Sequence, residues 1–424
     1  MSGLLFTPEQ HAVLRAAWAK YSVTDALKKR YRAPGIKPHV VTVSADVPVE
    51  VALDVLVRHN INAAPVYDAS LPAFVGMVAM HDVIEYILAI TATRPSTSTV
   101  DSGVLADDEL DETASTTAGT AGSDDVAPLA LLEPDEGGVN GDQGPATDDE
   151  DEVGTTASSD PVRRTRKWSF GSSASTEPDG LALAEVMARL RDAHAVSVAC
   201  IADLSERDAF MTLPATATLE QAMDIFSKGV HRIVITPADP STPVTPATLV
   251  GILTQSDMIQ FLSDHETDHP WNDLVHLRIE DLRLCEPKPI VHVRAFQPVV
   301  DALHAMHEQR MSSVAVVDAA GRLLGNISSS DVKHMMRHLR LGTLDMPCAQ
   351  FVNQVKTKQM LENDGKDIVP VIQVGPSAPL AQVMRILLVM RVHRVWCTDQ
   401  NPSSPQFQAP VSVVSMTDIL RVLL

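Results

Sequence analysis

The sequence predicts an α/β protein of four β-α-β-β-α repeats, paired into two modules and carrying a long disordered acidic insertion. Three observations predict it. Four segments share one order of apolar strands and amphipathic helices, and each ends in the same short polar motif. Between the first two of them, one stretch holds most of the negative charge and sustains no apolar period.

Residues 1–37 read as an N-terminal helical segment, and residues 38–90 as repeat 1, with its core pattern from Val40 to Leu88. From 91 to 180 the composition turns to Ser, Thr, Gly, Pro, Asp and Glu. Between Thr91 and Asp160 there are 18 acidic residues and one basic one, so most of the chain's net charge of −20 belongs there. Such a segment buries too little apolar surface to offset the entropy of ordering and is expected to be disordered. It ends in a basic tract, Arg163-Arg164-Thr165-Arg166-Lys167-Trp168-Ser169-Phe170. That tract reads either as a solvated charge run or as a docking or phosphorylation site, with Ser169 the acceptor because Arg166 lies three residues before it.

Repeat 2 with a preceding helix occupies 181–265, a connector 266–285, repeat 3 residues 286–340 and repeat 4 residues 341–424. Each opens on a short β-type stretch and a turn. An amphipathic helix follows; in repeat 3 its apolar face comes from Val300, Leu303, Ala305 and Met306. The central strands (Ala63–Tyr67, Ile233–Ile235, Val314–Val317, Val395–Cys397) are continuous apolar runs, as expected of strands buried on both faces. A unit of about 50 residues is marginal alone, so the repeats should pair.

Composition excludes several classes. Hydrophobic residues make up 45% and aromatics 4%, so the cores must be aliphatic. No apolar run reaches the roughly 18–20 residues of a membrane span, and the first 20 residues lack a signal-peptide pattern, so a cytosolic or nuclear protein is expected. Cys200, Cys285, Cys348 and Cys397 are scattered and read as reduced thiols. Outside the acidic stretch the charge is close to balanced, which argues against a nucleic-acid surface. No nucleotide-hydrolase, kinase or metalloprotease motif is present, so no enzyme activity and no cofactor are expected. His304 and His307 share a helical spacing that suits a metal, but no further ligand is evident and a solvent-facing pair is the simpler reading.

At the last strand-to-helix junction the repeats read Ala79-Met80-His81-Asp82, Thr254-Gln255-Ser256-Asp257, Ser328-Ser329-Ser330-Asp331 and Ser415-Met416-Thr417-Asp418. Hydroxyl and Asp residues are ordinary helix N-caps. Recurrence at one register also suits ligand binding: a carboxylate accepts from ribose hydroxyls, while the hydroxyl and the helix N-terminus favour phosphate. Before the central strand, repeats 2 and 4 carry His231-Arg232 and His393-Arg394, where repeats 1 and 3 have Asn62-Ala63 and Ser312-Ser313. A planar guanidinium beside an imidazole suits phosphate oxygens. Lys228 and Arg310 lie nearby as weaker candidates whose default is exposed charge.

The repeat with its terminal hydroxyl-x-x-Asp resembles the cystathionine-β-synthase (CBS) domain, which packs in pairs called Bateman modules. Four such domains resemble the gamma regulatory subunit of AMP-activated/sucrose-nonfermenting-type protein kinases, most closely at Val392-His393-Arg394-Val395 and Val411–Leu420. The resemblance implies AMP, ADP and ATP as ligands, and a kinase catalytic alpha subunit and beta scaffold subunit as partners. It also implies phosphate contacts from His231, Arg232, His393 and Arg394, and ribose contacts from the motif carboxylates. Repeat 1 departs from the pattern at Asn62 and Ala79, so its site is expected to be degenerate. A standalone scaffold or phosphatase-regulating protein without energy sensing is the rival reading. An S-adenosylmethionine-type ligand is disfavoured, because it has no phosphate for the two His-Arg pairs.

Overall fold

The structure, a computed structural model, describes residues 6–27, 40–93, 196–207, 210–333, 343–362, 371–404 and 407–424. Residues 91–93, expected to open the insertion, instead end the last helix of repeat 1; the rest of the acidic insertion, the basic tract and Ser169 lie outside the described residues. All described residues fall within one compact unit.

Four three-stranded sheets share one topology. In repeat 1, β1 (Val43–Ser44) runs parallel to β2 (Ala63–Asp68), which pairs antiparallel with β3 (Ala73–Ala79). Repeat 2 repeats this with β4 (Thr212–Pro214), β5 (Arg232–Thr236) and β6 (Gly251–Thr254). Repeat 3 uses β7 (His292–Arg294), β8 (Ser313–Val317) and β9 (Leu323–Ser328). Repeat 4 uses β10 (Gln373–Val374), β11 (Arg394–Thr398) and β12 (Pro410–Ser415). The central strands are almost wholly buried, as their apolar runs predict.

Numbered in chain order, the described helices begin with α1 (Pro8–Trp18) and α2 (Val23–Leu27). In repeat 1, α3 (Val49–Arg58) joins the first two strands and α4 (Met80–Thr93) follows the last. A short α5 (Val198–Ile201) precedes repeat 2, which contains α6 (Leu219–Phe226) and α7 (Gln255–Asp264). Then come α8 (Trp271–Val275), α9 (Val299–Glu308) of repeat 3 and α10 (Cys348–Glu362). Repeat 4 contributes α11 (Leu380–Val389) and α12 (Met416–Val422).

Two kinds of contact pair the repeats. Sheet faces pack 1 on 2, through Ala63, Met77, Ala79, Val234 and Leu249, and 3 on 4, through Ala315, Val317, Leu323, Trp396 and Val413. Helical faces pack 1 on 3 and 2 on 4, making the two large apolar cores, the second of which holds Trp18, Phe226, Phe261 and Trp271 beside its aliphatic residues. The two sheet pairs are the two modules expected from the pairing of the repeats.

The segment leading into each repeat docks on a neighbour. Three of the four first helices start after Pro48, Pro298 or Pro379, which offer no side-chain cap. Their first N–H groups need other acceptors. Val49 N donates to Val196 O (3.0 Å), Val299 N to Met346 O (2.9 Å), Leu380 N to Leu277 O (2.9 Å) and Leu219 N to Tyr21 O (2.8 Å). The N-terminal helices thus complete the core of repeats 2 and 4, and residues 196–204, grouped with repeat 2 by sequence, pack on repeat 1. Residues 344–355 likewise pack on repeat 3 rather than on repeat 4.

One cysteine expectation is corrected. Cys285 and Cys397 form a disulfide, with Cα atoms 6.3 Å apart, joining the connector to β11; Cys200 and Cys348 are free. The two partners are 112 residues apart, so spacing alone carried no sign of the pairing.

Candidate functional site

A turn that recurs four times builds the site. The first helix of each repeat ends near a residue with left-handed φ: Asn60 (49°), Gly229 (94°), Arg310 (49°) and Arg391 (52°). Glycine adopts this conformation without penalty, and the other three accept a modest one. Two residues later the pair positions enter the central strand. There Ala63 faces Ala79, Arg232 faces Thr254, Ser313 faces Ser328 and Arg394 faces Ser415 across the ladder. Identical register sets the pair position beside the polar motif in every repeat, and in repeats 2 and 4 that position carries the basic pair.

Packing then brings the four turns together. His81 of repeat 1 stacks on His231 of repeat 2, with centroids 6.2 Å apart and planes at 18°. Arg394 of repeat 4 donates to Ser312 Oγ and, at 3.5 Å, to Ser313 O in repeat 3. Asn62 Nδ2 donates to Ser330 Oγ (3.2 Å), and Lys333 Nζ donates to Asn60 Oδ1 (3.1 Å), joining repeats 1 and 3.

The electrostatics point one way. Burial, with Arg232, His231, Arg394 and Lys333 around it, pushes the His393 imidazole down to about 4. Lys333 is pushed down to about 8, chiefly by burial, with Asp331 opposing and Arg232 adding to the effect. Arg394 falls to about 10 through burial and then Arg207, against Asp418. Burial is the first cause in all three, and cations from repeats 2, 3 and 4 face one another here together with Asp331 and Asp418. The buried Ser313 Oγ and the Asn62 Oδ1 have no hydrogen-bond partner among the described residues. Such an arrangement suits an anion with several oxygens.

The hydroxyl-x-x-Asp motif is first a helix cap. Thr254 Oγ1 donates to Asp257 Oδ2 (2.6 Å) and accepts from Asp257 N (3.3 Å). Ser415 and Asp418 repeat the box at 2.6 and 3.2 Å, and Ser328 Oγ donates to Asp331 Oδ2 at 2.6 Å. One carboxylate oxygen in each of these three repeats is therefore held by the cap.

Asp82 is held differently from its three counterparts. Its Oδ2 accepts from Ala79 N (2.6 Å), while Oδ1 accepts from Ser205 N (2.8 Å) and Ser205 Oγ (2.7 Å). It is 1% exposed, and burial holds its carboxyl well above the usual range despite those bonds. Both oxygens are engaged within the protein. Arg310 also lies apart from the cluster: its guanidinium is largely exposed and sits 4.0 Å from Glu206. Lys228 is exposed at the end of its helix.

Lys333 and Arg207 escaped the sequence reading. Lys333 follows the repeat 3 motif by two residues, a position at which register analysis would have found it. Arg207 lies between repeats 1 and 2 and left no such signal. His307 pairs with Glu85 at 3.4 Å, and the described residues hold no group of three or more metal-ligating side chains. Among them, no helix is long and apolar enough to cross a membrane.

Comparison with known proteins agrees on fold and alters the functional reading. The CBS domain model matches residues 36–89, 201–264 and 283–338. Repeat 4 lies outside those matches but has the same strand order and register. The chain is 32% identical over 239 residues to protein sds23 of Aspergillus niger, covering 55% of this chain and 45% of that one. It is 32% identical over 257 residues to protein SDS23 of Kluyveromyces lactis, covering 56% and 48%. The matches span about half the length of these curated relatives. A crystal structure from Methanocaldococcus jannaschii, described as a candidate archaeal homologue of g-AMPK, aligns with TM-score 0.52 and 12% identity over 92% of this chain and 98% of that one. That likeness is one of fold. These curated relatives are Sds23 proteins and not kinase gamma subunits, which overturns the kinase-subunit and energy-sensing reading. With four sheets of one topology, three of the repeats matched by the domain model, the chain has the mixed α/β CBS-domain fold.

Proposed function

We propose that the chain is a non-catalytic CBS-domain scaffold that regulates a protein phosphatase and holds a phosphate-bearing small molecule at the junction of its four repeats. The observation that carries the ligand reading is the convergence of His231, Arg232, Lys333, His393 and Arg394 from three repeats, tied together by the His81–His231, Lys333–Asn60 and Arg394–Ser312 contacts. Nucleoside phosphates such as AMP, ADP and ATP have the matching chemistry: several anionic oxygens, and ribose hydroxyls for the carboxylates of the motif. The scaffold reading rests on similarity to the Sds23 proteins.

Two measurements test it. Calorimetry of the purified chain with AMP, ADP and ATP should detect binding of at least one, and combined His393→Ala and Arg394→Ala substitution should weaken it at least tenfold. Binding of none of the three, or equal affinity in the variant, sinks the ligand assignment. Affinity purification should recover phosphatase catalytic subunits. Recovery of kinase alpha and beta subunits instead would defeat the scaffold assignment.

A further inference from the structure

Lys333 stands two residues beyond the motif Asp of repeat 3, where the other repeats carry Ile84, Ile259 and Leu420. Those three are core residues, 2%, 0% and 0% exposed. Lys333 is 9% exposed, so a cation fills what the fold elsewhere treats as an aliphatic core position. Burying an ammonium group costs far more than burying an aliphatic side chain of similar size, and only a good partner offsets that cost. Among the described residues its hydrogen-bond acceptor is Asn60 Oδ1, a neutral group at 3.1 Å, and no carboxylate forms an ion pair with it. An ammonium has three donors, so the carboxamide leaves capacity for a further acceptor.

The turn that ends α3 places Asn60: its N–H donates to Val57 O (3.1 Å) and its φ is 49°. Repeat 2 meets the same demand with Gly229, at φ 94°, so the backbone needs no side chain there and glycine adopts the conformation at less cost. The carboxamide is accounted for by what it touches, which is Lys333. Two residues on, Asn62 Nδ2 donates to Ser330 Oγ (3.2 Å), so repeat 1 holds repeat 3 at a second point beside the first. Asn62 O accepts from Met80 N (3.0 Å), and the next residue, His81, stacks on His231. These contacts run without a gap from Lys333 to the basic pair of repeat 2. Asn60 is itself exposed, so a solute can reach the place where the ammonium ends. Burial lowers the basicity of Lys333, and Arg232 adds to the effect against Asp331, in accord with that placement.

We propose that Lys333 is the binding residue that repeat 3 supplies to the anion site, and that Asn60 is its positioning residue: repeat 1 serves the ligand by holding the ammonium of repeat 3 toward a phosphoryl oxygen. The inference rests on the anion-site reading above and extends it to the two repeats that lack a His-Arg pair. A structural role alone does not call for a lysine. An aliphatic side chain fills this position in the other three repeats, and replacing a buried charge by a well-packed apolar group is often neutral or stabilising. Function and stability therefore pull in opposite directions at this residue, and that opposition is measurable.

The test uses the full chain, with ADP and inorganic pyrophosphate as probes. Lys333→Met keeps an unbranched side chain and removes the charge. It should leave the thermal midpoint unchanged or raise it, while weakening binding of both probes about tenfold or more, the size expected for one charge-assisted contact. Asn60→Gly, which copies the residue of repeat 2, keeps the left-handed turn and should weaken binding by less. In the Lys333→Met background it should add nothing, because it acts through the ammonium. If Lys333→Met leaves affinity unchanged while His393→Ala with Arg394→Ala abolishes binding, the proposal fails and the anion site stands. A lower midpoint together with weaker binding makes Lys333 a staple between repeats 1 and 3 and also overturns the proposal. An equal loss from Asn60→Gly in both backgrounds refutes its positioning role. If the unaltered chain binds neither probe, the anion-site reading fails and takes this proposal with it.

Discussion

Replacing Trp18 with Ala asks whether the N-terminal helices belong to the core of repeats 2 and 4. Trp18 is fully buried, its ring 5.0 Å from Trp271 and 6.0 Å from Phe261, and its Nε1 donates to Leu423 O at 3.2 Å. Truncating a buried Trp costs about 3–5 kcal/mol through lost transfer and the cavity left behind. The lost hydrogen bond adds about 1 kcal/mol. A total of about 5 kcal/mol is expected in urea denaturation. Native-state hydrogen exchange should locate the damage: protection should fall in α6, α7 and α12, which share that core, and hold in α4 and α9, which pack in the other. A loss below about 1 kcal/mol, or an equal fall in α4 and α9, refutes the cross-packed arrangement.

Other consequences are measurable. Without reductant, the denatured chain should show two labelable thiols, Cys200 and Cys348, and four after reduction; four at the outset would contradict the Cys285–Cys397 pairing. In the native chain Cys348 should label slowly, because burial and Asp301 push its thiol up to about 12. The His393 imidazole sits at about 4 in the fold against 6.5 when free, so between those values the unfolded chain binds the proton and the folded chain does not. Stability should therefore fall as pH drops from about 6.5 to about 4, by no more than about 1 kcal/mol because the side chain keeps contact with solvent, and His393→Gln should flatten that part of the profile. Gly325→Ala would set a Cβ 2.7 Å from Val352 Cγ1, where α10 meets β9, and should lower stability by about 1–3 kcal/mol on thermal unfolding.

The repeats were legible because period and register are local. Continuous apolar strands, the left-handed turn before each pair position and the Asp three residues into each polar motif are set by neighbours a few residues away. The alignment of His231-Arg232 with His393-Arg394 followed from the same local pattern, and the ladder pairs both arginines with the motif hydroxyls. Register marks Lys333 as unusual, but no local sign gives its role, because its partner Asn60 lies 273 residues away in another repeat. Arg207 and Ser205 were not legible at all, since nothing near them in sequence announces contact with Asp82, which lies 123 residues before Ser205.

The sequence by itself determined four α/β repeats, their strand order and the placement of two basic pairs at strand entrances. It also determined that repeat 1 departs from the others. Only the tertiary structure decided which faces pair, that each leading segment caps a neighbour's helix, that Cys285 meets Cys397, and that Asp82 is closed off by the chain itself. The physical reason is the range of the interactions. Periodicity and capping act over a few residues and leave their mark in order, whereas pairing across more than 100 residues depends on which surfaces meet, and the linear pattern records no such meeting.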